Sequence, residues 1–333
     1  MENVFLKIGK IILSILIACI LLSLFALLYN NSGPKITNFT GATASKWDGA
    51  QFVSNMKEGL SWFITDKNGF NNAETKNSVD VLIMGDSHIE AVQVFQNENL
   101  TYLLDTNTKY NCYNIGISGN YIDSCVKNIR KAVAEYQPSK YVIIDLHDDS
   151  INTSIDRMNE IISGAETASP VMFEHGIMNY IKRIPCVKPL LYGLTNWINV
   201  GVSRGGNTIE KLSPFPEGYA ETQKKFLSIV SDTAKENGII PIIFYQPYEQ
   251  LNPDGTVTYK TDEVYFERFA STCEELGIVF VDMTDSFKWL YANERQLAHG
   301  FINTAVGSGH LNKYGHRLIA EKLAEVMQEL EEE

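Results

Sequence analysis

Val79-Asp80-Val81-Leu82-Ile83-Met84-Gly85-Asp86-Ser87-His88 decides how this chain folds. An apolar, β-branched run of strand type breaks at Gly85 and presents an acid and a hydroxyl, and a helix-like pattern starts at Ile89 and reaches about Asn107. A buried strand that ends in a glycine turn sets its next side chains at the rim of a sheet, where open α/β sheets keep their chemistry. Ser87 at that rim is a candidate nucleophile. Gly85-Asp86-Ser87 also reads as an ordinary turn with Ser87 as helix N-cap.

The same rhythm repeats downstream. Lys109 to Ile115 reads as a second strand ending at Gly116-Ile117-Ser118-Gly119-Asn120. Ile122, Cys125, Ile129, Val133 and Tyr136 recur at helical spacing, and Gln137-Pro138 stops that helix. Tyr141 to Leu146 is a third strand ending at His147-Asp148-Asp149, Ile239 to Phe244 a fourth, and Ile278 to Val281 a fifth ending at Asp282. Helices are expected near 218–237, 262–276 and 312–330. Strands alternating with helices predict a three-layer α/β/α, flavodoxin-like domain on a parallel five-stranded sheet. Residues 150 to about 215 break the rhythm and read as an insertion, a lid or substrate wall. Its aromatics, among them Tyr180, Tyr192, Trp197 and Phe215, read as insertion core before a sugar-stacking platform.

Ahead of the first strand the chain divides in two. Ile11 to Tyr29 is uncharged and rich in Ile and Leu, about the length that spans a bilayer core as a helix. Lys7 and Lys10 precede it, which predicts a cytoplasmic N-terminus and an extracytoplasmic body. A cleaved signal peptide is the rival, but no small-x-small site follows the run, so an uncleaved anchor over residues 1–30 is expected. Residues 31–78 read as a polar stalk with a short helix around Trp47 to Phe63, and 79–333 as the catalytic domain.

A net charge of −12 argues against a nucleic-acid partner. Of five cysteines, Cys19 lies in the anchor; none of Cys112, Cys125, Cys186 and Cys273 has CxxC spacing, which argues against a zinc or redox site. No metal and no cofactor is expected. Adjacent acids in a loop rarely face each other, so Asp148 and Asp149 read as solvated. Asp86 reads as a brace of the turn that positions Ser87, His88 as a cap or pocket-lining residue, and His316 as structural. On a parallel sheet Ser87, Gly119, His147 and Asp282 share one rim, and the loop Gly307-Ser308-Gly309-His310 before the last helix can bring His310 to it as a base.

At these residues the chain resembles the SGNH (GDSL-like) hydrolases, in a membrane-anchored bacterial form. Gly85-Asp86-Ser87 after the first strand, Gly119 after the second, and His310-Leu311-Asn312-Lys313-Tyr314-Gly315-His316 before the last helix carry the resemblance, over roughly residues 79 to 330. It implies Ser87 as nucleophile, His310 as base, and the N–H groups of Ser87 and Gly119 as oxyanion donors. Two departures stand out. The family's acid three residues before the histidine is Gly307 here, and no acid lies between Asn303 and Gly309. Either Ser87 and His310 act as a dyad, or an acid arrives from elsewhere, with Asp282 and Asp285 as candidates. His147 stands where the family has an asparagine donor, and it either donates or braces the loop. The expected activity is ester hydrolysis on an acylated, chiefly acetylated, cell-envelope or exported glycan or a small ester, beside the bilayer that residues 11–29 enter. O-acyl transfer to the same glycans and a catalytically silent glycan-binding or scaffold role are the alternatives.

Overall fold

The computed structural model describes residues 2–29, 36–37, 43–44, 51–56, 58–76, 78–148, 150–164, 215–260, 263–301, 304 and 306–332. Most of the expected insertion, with Tyr180, Tyr192, Trp197 and Cys186, lies outside them.

Five strands form one parallel sheet: β5 (Val81–Met84), β6 (Cys112–Asn114), β7 (Tyr141–His147), β8 (Ile240–Gln246) and β11 (Val279–Asp282). Their spatial order is β11-β8-β7-β5-β6, with every neighbouring pair parallel. Numbered by appearance in the sheet, that order is 2-1-3-4-5, the flavodoxin-like arrangement expected from the sequence. The chain reverses its direction of winding between β5 and β7, so their C-terminal ends flank the crevice where such sheets bind ligands.

Why β5 is apolar throughout follows from the layers. Successive side chains on a strand point to opposite faces. Leu82 and Met84 join one core with α4 (Ile122–Tyr136), α5 (Ile155–Ile162), α6 (Tyr219–Asn237) and α7 (Glu263–Leu276). Val81 and Ile83 join the other with α3 (Leu100–Asn107), α8 (Thr284–Glu294) and α9 (Lys313–Glu332). Both faces are covered, so period-2 alternation is absent and the run is continuously hydrophobic. Cys112, Cys125 and Cys273 are buried free thiols within these cores. Burial pushes the Cys112 thiol up to about 12 and the Cys125 thiol well above the usual range, which leaves them protonated packing groups.

Three expectations change. The helix from Ile89 to Asn107 is two pieces: a single turn, α2 (Ser87–Glu90), ends at Ala91 in the left-handed region, and α3 starts only at Leu100. Asp86, not Ser87, is the N-cap of α2, its carboxylate accepting the His88 N–H at 2.8 Å. Most consequentially, the helix expected around Trp47 to Phe63 is an antiparallel hairpin, β3 (Gln51–Met56) and β4 (Gly59–Ile64). A two-residue connection fits a tight hairpin, whereas a helix would need its own apolar stripe. Downstream, the Asn252-Pro253-Asp254-Gly255 turn joins a second hairpin, β9 (Tyr248–Leu251) and β10 (Val257–Lys260). Two-stranded pieces β1 (Ile36–Thr37) and β2 (Thr43–Ala44) complete the strands.

The first element, α1 (Glu2–Tyr29), is helical as expected, with Leu13, Leu16 and Leu21 more than half exposed. Among the described residues no helix is long and apolar enough to cross a membrane.

Candidate active site

Ser87 opens α2 directly beyond the C-terminal end of β5. Gly85 makes that turn possible by close approach: a Cβ there would lie 2.3 Å from Ile89 Cγ1 and 2.8 Å from Asp145 Cβ. The β6 loop is tied to the same point, because Ile117 N–H donates to the Gly85 carbonyl at 3.0 Å. Gly119, two residues on, therefore belongs to the rim that carries Ser87. Ser118 donates its N–H to the Glu90 carboxylate at 3.1 Å, and its hydroxyl bonds the same oxygen, which pins the loop to α2.

His310 reaches this rim from the loop before α9. Its Nε2 is 2.8 Å from Ser87 Oγ across 223 positions of sequence. Its Nδ1 is 2.5 Å from Glu58 Oε2, and its backbone N–H donates to Glu58 Oε1 at 3.1 Å. One carboxylate thus holds both the ring and the main chain of His310. With Nδ1–H donated to Glu58, the lone pair of Nε2 faces the Ser87 hydroxyl, the tautomer a general base requires.

Glu58 is the residue the sequence reading misses. It sits in the turn between β3 and β4, in the stretch read as stalk and lead-in helix. The hairpin is fixed to the segment that follows the nucleophile: Ser61 Oγ donates to the Val92 carbonyl at 2.5 Å, and Gln96 Nε2 donates to the Ile64 carbonyl at 2.9 Å. Gly309 leaves room for the acid, since a Cβ there would stand 2.4 Å from Glu58 Oε1, with φ at +113°. Gly307, where the resemblance expects the acid, has φ of +73° and would place a Cβ 2.8 Å from the Glu249 carbonyl oxygen. No side chain fits at 307 without movement, and the acid comes from the hairpin.

Asp282 does not meet His310. Its carboxylate accepts the Thr284 N–H at 2.9 Å and the Thr284 hydroxyl at 2.6 Å, starting α8 on the exposed far edge of the sheet. Asp285 pairs with Lys288 at 3.0 Å on the surface. Both are helix-start acids, favourable there through the helix dipole.

His147 ends β7 facing the crevice, and its Nε2 lies 3.0 Å from Asp86 Oδ2 with both side chains buried. In the neutral ring that donates Nε2–H to Asp86, Nδ1 carries the lone pair and offers no proton to an oxyanion. The geometry therefore favours the bracing role over the donor role for His147. Asp86 in turn binds the His88 N–H, so Asp86 and His147 together fix the turn on which Ser87 sits. The His88 ring stands 5.1 Å from both His147 and His310 and 5.6 Å from His299. Burial holds the His88 imidazole well below the usual histidine range, and the surrounding rings add to the effect.

Asp148 is not solvated: it is buried, accepts the Tyr248 N–H at 3.1 Å and bonds the Tyr245 hydroxyl. His316 is structural as expected, its Nδ1 accepting the Leu100 N–H at 3.2 Å, and burial pushes it down to about 3. A cavity of about 620 Å³ adjoins the acid side of the site, with Glu58 and His299 in its wall and Phe95, Phe301, Tyr314, Arg295 and Lys313 around it.

No protein-family model and no curated protein matches the chain. Among solved structures it is similar to an acetyl xylan esterase, at 14% identity and a TM-score of 0.40, over 74% of this chain and 98% of that one. It is similar to a member of the lipolytic protein G-D-S-L family from Veillonella parvula, at 14% identity and a TM-score of 0.40, over 74% and 97%. A third likeness is to TesA, at 13% identity and a TM-score of 0.37, over 73% and 96%. Likeness this distant carries no argument about activity, which rests on the chain's own geometry.

Proposed function

We propose that this chain is a serine ester hydrolase of SGNH type that removes acyl groups, acetyl foremost, from cell-envelope or exported glycans. The observation that carries the reading is the chain of contacts Ser87 Oγ–His310 Nε2 and His310 Nδ1–Glu58. A nucleophile hydrogen-bonded to a base that is itself oriented by a carboxylate is the arrangement acyl transfer needs.

In this mechanism His310 Nε2 takes the Ser87 proton as Oγ attacks the ester carbonyl. Glu58 stabilises the imidazolium that forms. The N–H groups of Ser87 and Gly119 receive the developing oxyanion, and each such donor is typically worth roughly 3–4 kcal/mol in the transition state. His310 then gives its proton to the departing alkoxide as the carbonyl–alkoxide bond breaks. A water molecule, deprotonated by His310, attacks the acyl-Ser87, and the acid leaves as Ser87 regains its proton.

The glycan and its location are the finer part of the proposal. They are supported by the uncharged run Ile11–Tyr29, by Lys7 and Lys10 before it, and by the exposed leucines and isoleucines of α1. An anchor there, with a cytoplasmic N-terminus, faces the site toward envelope material. The cavity beside Glu58, with Phe95, Phe301 and Tyr314 in its wall, favours a second reading, O-acyl transfer, because it offers space for an acceptor hydroxyl to replace water.

The test is release of p-nitrophenol from p-nitrophenyl acetate, and of acetate from an acetylated glycan, by the full chain in detergent. The parent turns over, and Ser87→Ala and His310→Ala fall to buffer rate. Acetyl appearing on an added glycan rather than in solution selects the transferase reading. Activity that survives Ser87→Ala overturns both, and a folded parent with neither reaction leaves the silent binder.

A further inference from the structure

Around Ser87 the described residues contain one buried side chain whose polar atoms find no use. His88 is 7% exposed, its Nδ1 has no hydrogen-bond partner, and no bond is made by its other ring nitrogen among the described residues. Buried polar atoms are nearly always paired with protein, water or an ion. Next to this ring lie the Asp86 carboxylate and the His147 ring, and one donor atom from each of the three residues falls within 4.8 Å of the others.

We propose that Asp86, His88 and His147 form a binding site for a divalent transition-metal ion, zinc foremost, directly beside the nucleophile. Two imidazoles and one carboxylate are a zinc-type donor set, with ligand bonds near 2.0–2.1 Å. Tetrahedral ligands at that bond length stand about 3.3 Å apart. The 3.0 Å between Asp86 Oδ2 and His147 Nε2 already matches, and the third donor lies at most about 1.5 Å beyond the ideal. Magnesium and calcium are excluded by the same chemistry, since they take oxygen ligands.

The donor side chains are themselves held in place. Asp86 Oδ1 accepts the His88 N–H at 2.8 Å, which orients the carboxylate and fixes two of the three ligands relative to each other. The His299 ring packs edge-on against His88, with its own nitrogens engaged by Glu249 at 3.2 Å and Gln246 at 3.0 Å. It supports the cluster without competing for the ion. Three protein ligands leave a position for a fourth, non-protein ligand, the pattern of catalytic rather than structural zinc. The donors escape a motif search because they come from two strand ends, 61 positions apart, rather than from one helix or loop. The site stands whether or not the chain hydrolyses esters. If it does, the ion would lie beside the turn that carries Ser87 and could supply the electrophile that the SGNH resemblance expects from an asparagine at position 147.

The full chain in detergent, stripped with a chelator and dialysed, is titrated with Zn²⁺ by calorimetry and with Co²⁺ by visible absorption. One ion per chain and the intense d–d bands of a four- or five-coordinate Co²⁺ site are expected. His88→Leu keeps the volume and removes both ring nitrogens, and Asp86→Asn keeps the shape and the acceptor for the His88 N–H. Each weakens Zn²⁺ at least tenfold while circular dichroism stays that of the parent. No stoichiometric binding by the folded parent, or binding unchanged in both folded variants, overturns the proposal. Because the readout is binding, a chain that binds zinc without hydrolysing any ester upholds the site and refutes only the esterase reading.

Discussion

Glu58 is coupled to His310 twice, through Nδ1 and through the backbone N–H, so its removal affects both the charge and the position of the base. Glu58→Gln keeps the shape but removes the charge that stabilises the imidazolium. Loss of the corresponding acid in a serine triad lowers kcat by about 10⁴-fold, and a drop of about 10²–10⁴ is predicted here with KM little changed. Asp282→Asn, far along the sheet and engaged with Thr284, leaves ester turnover at the parent rate. Steady-state kinetics on p-nitrophenyl acetate separates the two acids directly. If Asp282→Asn were the crippled variant, the hairpin acid would have no part in the reaction.

At the scale of the element, the hairpin β3–β4 supplies what the loop before α9 lacks. Placing an acid where the SGNH resemblance expects one, as Gly307→Asp in a Glu58→Gln background, does not rescue activity. The backbone at 307 has φ of +73°, and the new Cβ meets the Glu249 carbonyl, so the loop must distort before any carboxylate forms. Gly309→Ala pushes a methyl into Glu58 Oε1 and lowers turnover in the same way as Glu58→Gln, with thermal stability reduced by about 1–3 kcal/mol. Kinetics of the double variant and of Gly309→Ala check both. These contacts also explain what was legible in the sequence. Ser87, Gly119 and His310 lie at element ends that local patterns mark, namely a buried strand, a glycine turn and an amphipathic helix. Glu58 is 252 positions from His310, and its hairpin reads as polar stalk until the turn at Glu58 is recognised between two six-residue strands. The roles of His147 and Asp148 depended on which side chain faced them, which spacing does not encode.

For the whole molecule, the buried histidine that ties α9 to α3 sets an acid limit on stability. His316 accepts the Leu100 N–H at Nδ1, a bond only the neutral ring can make, and burial pushes it down to about 3 from 6.5. In the unfolded chain it protonates near 6.5, while the folded chain keeps it neutral. Its contribution is therefore fully present above pH 6.5 and is lost as pH falls from 6.5 toward 3, at up to about 1.4 kcal/mol per pH unit. His316→Asn retains an acceptor for Leu100 without the titration, so its urea-unfolding free energy falls less steeply between pH 6.5 and 4.5 than the parent's. Equal slopes would mean that His316 is not neutral in the folded state. That the β3–β4 hairpin completes a nucleophilic site on a flavodoxin-like sheet is checked by labelling the intact full chain with an alkyl fluorophosphonate and reading its mass over time. One adduct is expected, on Ser87, slowed at least a hundredfold in Glu58→Gln and absent in Ser87→Ala. An adduct elsewhere, or labelling of Glu58→Gln at the parent rate, would contradict it.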